Sequence, residues 1–357
     1  MFHQARDERI PVAVLGATGS VGQRFIQLLA NHPWFRVAEL VASDRSAGKS
    51  YRAATPWRLS SDLPESAAEL PVLDYDADLQ SPLVFSALPS EVAGEIEQRM
   101  AREGRALFTN TSTHRMEPDV PLLLAEVNPD HARVIEIQRR NRGWSGFIAA
   151  NSNCSAMHLV LALKPLQDAF GLDAVAVTTL QAVSGAGYPG VPSLDIIDNV
   201  IPFIPTEEEK MTEETKKMLG RLDGDVFAPA PLVMTAHCNR VPVRDGHIEC
   251  ASVRLGAQPA IGEVAAVLAS FTGRPQELGL PSAPDRPIVV RSEENRPQPV
   301  LDRDTENGMA SVVGRLRPCP LLGYKFVVLG HNTIRGAAGA SILNAELFKA
   351  EGLLPVL

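Results

Sequence analysis

Cys154 lies in the run Asn151-Ser152-Asn153-Cys154-Ser155, directly ahead of the apolar stretch Ala156 to Leu163. A cysteine in the first turn of a helix faces free amides and the positive end of the helix dipole, which favour the nucleophilic thiolate. Cys238, Cys250 and Cys319 fall in or beside strand-like runs, where a thiol is usually a small buried hydrophobe. A second chemical signal is Gly16-Ala17-Thr18-Gly19-Ser20-Val21-Gly22, a GxxGxxG loop between a strand-like and a helix-like segment. Glycines there permit a tight turn and bring backbone amides up to a pyrophosphate at a helix N-terminus. Further on, Ala42-Ser43-Asp44-Arg45-Ser46 closes the next strand. NAD sites place an acid here for the ribose hydroxyls, whereas Arg45 with the hydroxyls of Ser43 and Ser46 suits a 2′-phosphate and favours NADP. Asp44 points the other way unless it turns outward. A third candidate is Asn110-Thr111-Ser112-Thr113-His114-Arg115, a hydroxyl-rich loop with one arginine. It suits phosphate, although many surface loops share that composition.

These groups need a frame. Pro11 to Leu15 is short, apolar and rich in valine, the pattern of a strand buried on both faces. Val21 to Ala30 has helical spacing, and strands follow at Val37 to Ala42, Leu83 to Ala87 and Ala106 to Thr109, with a helix over Ser90 to Arg102 capped by Ser90. This alternation predicts an α/β fold with a doubly wound parallel sheet. Beyond Asn151 the strands Val175–Thr179, Val233–Val243, Ile248–Leu255, Ile288–Arg291 and Ser311–Arg317 recur with few helices between them. They predict a second, α+β domain on a mixed or antiparallel sheet, with Asp245-Gly246 as a hairpin turn. The apolar helix starting at Cys154 stops at Lys164-Pro165, and a closing helix over Ala337 to Glu351 packs back on the first domain. The expected division is 1–153 for nucleotide binding, 154–331 for catalysis and dimerisation, and 332–357 returning to the first domain.

Composition sets the outer bounds. The chain has 357 residues, enough for two domains, with 34 basic and 42 acidic residues for a net charge of −8. There is no basic excess to attract nucleic acid. With 45% apolar and 21% charged residues, a sizeable core is available. Met1 to Ile10 has no apolar signal region, and no uncharged apolar run nears the roughly 18 residues of a membrane span. Four scattered cysteines without CxxC spacing give neither a disulfide framework nor a metal site. The expectation is a cytoplasmic protein acting on a small molecule, without nucleic acid, membrane or metal.

Longer motifs are more specific. GATGSVGQRF (16–25), ASDRSAGKSY (42–51), AEVNPDH (125–131), NRGWSGFIAANSNCSA (141–156), QAVSGAGYPG (181–190), IPFIPTEEEKMTEETKKML (201–219), CNRVPVRDGH (238–247) and HNTIRGAAG (331–339) stand in order. Together they resemble the aspartate-semialdehyde dehydrogenase family of archaeal and fungal type over nearly the whole chain. The resemblance implies phosphate-dependent, NADP-linked interconversion of L-aspartate 4-semialdehyde and 4-aspartyl phosphate, feeding lysine, methionine and threonine synthesis. It implies that Cys154 forms a thioacyl intermediate, His247 is the acid/base and Gln181 orients the intermediate. Arg240 would hold the substrate carboxylate and Glu207 its amine. Lys210 and Arg115, with Asn110 and Asn153 nearby, would form the phosphate site. Ser184, Gly185 and Asn332 join Gly16, Thr18, Gly19, Ser20, Val21, Gly22, Ser43, Arg45 and Ser46 around the cofactor. A homodimer or homotetramer is implied. Ser152 departs from the proline anticipated at its position, and Ser155 marks a second point where the nucleophile loop can differ from the family pattern.

Some of these assignments have plain alternatives. Glu207 and Lys210 share a helix face, but TEEEKMTEETKK with a Thr206/Glu209 capping box also reads as a solvated helix surface. A histidine heading a strand is more often structural. In a two-residue hairpin Arg240 and His247 would stand roughly 13 Å apart, too far for one four-carbon substrate. The nearest rival function is an acyl-CoA reductase such as a malonyl-CoA reductase, using the same Cys154 and His247. Such a substrate needs no amine ligand or phosphate site. Reduction of another acyl phosphate, such as an N-acetylated glutamyl phosphate, is a further rival, and a non-catalytic NADP-binding protein is a third.

Overall fold

The first apolar run forms a strand, β1 (Ile10–Leu15), and the glycine loop turns it into α1 (Ser20–Leu29). The computed structural model describes residues 8–355. Residues 1–7, within the stretch read for a signal region, and 356–357, at the end of the closing segment, lie outside the described residues. After α1 come β2 (Phe35–Val41), β3 (Val72–Leu73), β4 (Leu83–Ser86), α2 (Ser90–Arg102), β5 (Ala106–Thr109), α3 (Val134–Arg142) and β6 (Phe147–Ala150). The six strands make one parallel sheet in the order β3-β2-β1-β4-β5-β6. β4, β5 and β6 are buried throughout, as strands covered on both faces must be. The sequence reading missed β3, α3 and β6. Pro89, not Ser90, occupies the N-cap of α2.

α4 (Cys154–Phe170) leads into the second sheet. It does not stop at Pro165. A proline there removes the bond to the Leu161 carbonyl at a cost of about 3 kcal/mol, but Leu163, Pro165 and Leu166 are buried and packing carries the helix through. Next come β7 (Leu172–Gln181), α5 (Glu207–Met218), the small pair β8 (Arg221–Asp223) and β9 (Val226–Ala228), β10 (Val233–Arg240) and β11 (His247–Leu255). They are followed by α6 (Ile261–Ala269), β12 (Ile288–Val290), β13 (Ser311–Cys319), β14 (Gly323–Gly330), a π-helical turn at Ile334–Ala338 and α7 (Gly339–Ala350).

The second sheet runs β10-β7-β11-β14-β13-β12 and is mixed. β10 lies parallel to β7, whereas β11 lies antiparallel to both β7 and β14. β10 and β11 therefore never pair, and Asp245-Gly246 closes no hairpin. The link between them crosses the end of β7 instead. β14, unassigned from sequence, fills the sheet's centre. α7 returns to the first sheet, where Phe348 meets Phe108 and Phe147 with ring centroids 5.1 Å apart in each pair.

Candidate active site

Crossing the end of β7 brings the site residues into one row. Arg240 is registered with Gln181 across the parallel ladder, and Ile248 with Leu180 across the antiparallel one, so His247 stands one step further, beside Gln181. Arg240 and His247 thus flank Gln181 from two sides. The separation expected of a hairpin does not exist.

Cys154 is the first residue of α4, and the Asn153 side chain caps that helix by accepting from the Ser155 and Ala156 amides at 2.9 and 3.1 Å. Asn153 Nδ2 also donates to Glu207 Oε1 at 2.8 Å, and Gln181 Nε2 donates to the same oxygen at 2.8 Å. Glu207 begins α5 and is buried. The helix end does favour the thiolate, through the Ser155 amide, but it does not prevail. Burial, and then the charge of Glu207, push the Cys154 thiol up to about 12, against the pull of Arg115 and Arg240. The expectation of a depressed thiol is corrected for the free enzyme.

A cleft of about 590 Å³ opens over these groups. Its wall includes Ser20, Val21, Asn110, Arg115, Asn153, Cys154, Gln181, Ser184, Gly185, Glu207, Lys210, Arg240 and Asn332. His247 stands behind this wall. It is fully buried, the Ala182 amide donates to its Nδ1 at 3.0 Å, and Nε2 has no hydrogen-bond partner among the described residues. Burial, then Arg240, His158 and His331, hold its pKa well below 6.5. Asn332 ties the wall together by accepting from the Gly246 amide at 2.9 Å and donating to Ser184 at 2.8 Å.

Several candidates have prior engagements. Asn110 donates to the Ser86 carbonyl and accepts from Asn151, while its own carbonyl accepts from Arg115 at 2.8 Å. It positions Arg115. Thr206 adopts a left-handed conformation and its hydroxyl bonds Pro205, so the expected capping box is absent. Nor is α5 a solvated surface: Glu207, Glu214 and Lys217 are all buried. Glu214, missed in the sequence, accepts from Arg115 Nη1 at 3.0 Å and from the Asn153 amide. Gly336 was also missed; a Cβ there would sit 2.8 Å from that of Cys154. Neither had a local sequence signal.

At the cofactor end, Gly16 is left-handed (φ +73°), and a Cβ on it would meet the Ala87 carbonyl oxygen at 2.4 Å. A Cβ on Gly22 would meet the Gly16 oxygen at 2.2 Å. The loop is thus drawn tightly against α1, whose first-turn amides have no carbonyl one turn back and face outward. Thr18 and Gly19 lie in this turn. Such a cradle fits a pyrophosphate. Ser43, Arg45 and Ser46 follow β2 outside the 590 Å³ cleft, with Asp44 and Arg45 both exposed. Among the described residues no group of three or more His, Cys, Asp or Glu could hold a metal, and no helix is long and apolar enough to cross a membrane.

Comparison with known proteins agrees with this layout. Residues 11–135 match the family model "Semialdehyde dehydrogenase, NAD binding domain", and 163–335 match "Semialdehyde dehydrogenase, dimerisation domain". An aspartate-semialdehyde dehydrogenase of Archaeoglobus fulgidus is 50% identical over 347 residues, covering 97% of this chain and 100% of the relative. That of Methanothermobacter thermautotrophicus is 52% identical over 342 residues, covering 95% and 98%. Among solved structures, the Candida albicans aspartate semialdehyde dehydrogenase with NADP superposes with a TM-score of 0.89 at 44% identity, covering 97% of this chain and 99% of that one.

Proposed function

The chain belongs to the aspartate-semialdehyde dehydrogenase family, and on that premise we propose how its residues divide the work of interconverting L-aspartate 4-semialdehyde and L-4-aspartyl phosphate. The reaction depends on NADP and phosphate and belongs to amino-acid biosynthesis. One observation carries the assignment of roles: Glu207, bonded to both Asn153 and Gln181, stands beside Cys154 in a cleft that also holds Arg240, Arg115 and Lys210. A carboxylate and a guanidinium beside a thiol suit a substrate that carries an ammonium and a carboxylate near its reacting carbon. The second arginine with a lysine suits phosphate. An acyl-CoA substrate would leave Glu207 without a purpose.

The chemistry balances without a protein base. In the reducing direction Cys154 sulfur bonds the acyl carbon, the carbon–oxygen bond to phosphate breaks, and the thiol proton leaves on the departing phosphate. The α1 cradle would hold the cofactor, with Arg45, Ser43 and Ser46 toward its 2′-phosphate, and in its reduced form, NADPH, it would supply the hydride. The carbonyl oxygen becomes an oxyanion on reduction, and its collapse expels the thiolate, which recovers a proton from water. His247 serves that oxyanion. With the Ala182 amide donating to Nδ1, the neutral ring carries its proton on Nε2 and offers it as a hydrogen bond. Taking up a second proton would break the Ala182 bond and place a cation beside Arg240. The acid/base role expected for His247 thus narrows to that of a fixed donor.

The substrate's ammonium opposes Glu207, the charge that raises the thiol, so substrate binding itself activates Cys154. We divide the chain at 153/154, with 332–355 returning to the nucleotide domain. The outward face of the second sheet, with Val233 at 74% exposure, together with Leu194 at 90% and Phe203 at 66%, is the surface we assign to a homodimer or homotetramer contact, in a cytoplasmic enzyme. Omitting phosphate from the oxidising reaction tests the whole assignment: NADPH formation stops if it holds, and continues if the phosphate roles are wrong.

A further inference from the structure

α5 presents Glu207, Lys210, Glu214 and Lys217 at spacings of three, four and three, which places all four on one face. Only the first two reach the cleft. Glu214 joins Arg115 to the backbone amide of Asn153, the residue before the nucleophile. Lys217 is buried, and its Nζ donates to three carbonyls of one loop: Arg115 at 2.8 Å, Glu117 at 2.8 Å and Val120 at 2.9 Å. An ammonium has three donors, and all are used. The Phe227 ring lies 4.7 Å away on another side. No substrate could contact an Nζ so enclosed.

Three convergent carbonyls repel one another and need a cation between them. Lys217 therefore fixes the path of the loop 115–120, and Arg115 begins that loop. Arg115 itself is held by Glu214 at Nη1 and the Asn110 carbonyl at Nη2, while its Nε is buried without a partner among the described residues. Its guanidinium is oriented from two directions, with donor capacity left over.

We propose that Lys217 and Glu214 are positioning residues of the phosphate half-site: Lys217 gathers the loop that presents Arg115, and Glu214 locks Arg115 to the turn carrying Cys154. This rests on the phosphate role proposed for Arg115. Lys217 bonds neither Glu207 nor Arg240, and Glu214 reaches Glu207 only through Asn153, so the two halves of the site respond unequally when the device is broken.

The test is steady-state oxidation of aspartate semialdehyde with inorganic phosphate varied, in wild type, Lys217→Ala and Glu214→Gln. Both variants should raise the KM for phosphate about tenfold or more, with the KM for aldehyde changed by less than about twofold. Ammonium chloride, compared with tetramethylammonium chloride at equal ionic strength, should restore the phosphate KM of Lys217→Ala by filling the carbonyl cage. Equal rises in both KM values, no rise, or no ammonium rescue would overturn the proposal. If Lys217→Ala does not fold, Lys217→Arg keeps the charge but cannot bring three donors to one point. It should show the same selective rise, and an unchanged phosphate KM would overturn the proposal. A wild type indifferent to phosphate would instead remove the underlying reading, whatever the variants do.

Discussion

Arg240 and His247 reach the same spot beneath Gly185: a Cβ on residue 185 would lie 2.9 Å from Arg240 Nη1 and 3.1 Å from His247 Nε2. Arg240 also donates to the Ala182 carbonyl at 2.9 Å, so the turn over these two side chains is fastened from below. Gly185→Ala must push Arg240 aside, because its guanidinium is the flexible neighbour. The aldehyde KM should rise by about tenfold. Unchanged kinetics would show that Arg240 has slack and does not hold the substrate in this position.

Glu207 bears on the thiol as well as on the proposed amine site. Removing its charge in Glu207→Gln takes away a contribution that raises the Cys154 pKa, so the thiol should ionise more readily in the free enzyme. Alkylation by iodoacetamide at pH 8 should be faster than in wild type, with cleavage mapping confirming Cys154 as the target. Turnover should move the opposite way, with kcat/KM down by about 100-fold, or about 2.7 kcal/mol of transition-state binding. An alkylation rate that falls with turnover would contradict this coupling.

His247 separates donor from proton carrier. Its pKa is held well below 6.5, chiefly by burial, so it stays neutral as pH falls from 8 to 6 and should give the acid side of the kcat/KM profile no limb near 6.5. His247→Gln can place an amide N–H near the former Nε2. It should retain about tenfold or more of the activity of His247→Ala, with the pH profile unchanged in shape. A wild-type limb near 6.5 that disappears in His247→Gln would restore the acid/base role.

Much of this site was legible before the fold was known, and the exceptions share a cause. The glycine loop and Cys154 carry their own local context, a strand end and a helix start, and their places in the fold follow that context. Arg240 and His247 did not yield to spacing because an Asp-Gly pair reports a local turn and says nothing of β7 lying between the flanking strands. α5 was ambiguous for a different reason. Acids and bases at helical spacing read alike whether they face water or buried carbonyls, and only the approach of the 110–120 loop decides. The Cys154 thiol shows the same limit, since the helix terminus is visible in sequence and the burial that outweighs it is not.

Arg45 tests the cofactor choice. It is exposed at the end of β2, free of the catalytic cleft, so Arg45→Ala should leave the chemistry intact. NADP should bind about tenfold or more weakly, with NAD little changed. Equal weakening of both would remove the 2′-phosphate from Arg45.

The proposed reaction is a phosphorylating oxidation through Cys154. The most direct measurement follows absorbance at 340 nm with aspartate semialdehyde and NADP, with phosphate present or omitted, in wild type and Cys154→Ala, alongside malonyl-CoA with NADPH. NADPH formation should require both phosphate and Cys154, with NADPH binding preserved in the variant and no turnover of the thioester. Activity confined to malonyl-CoA, or aldehyde oxidation indifferent to phosphate, would contradict it.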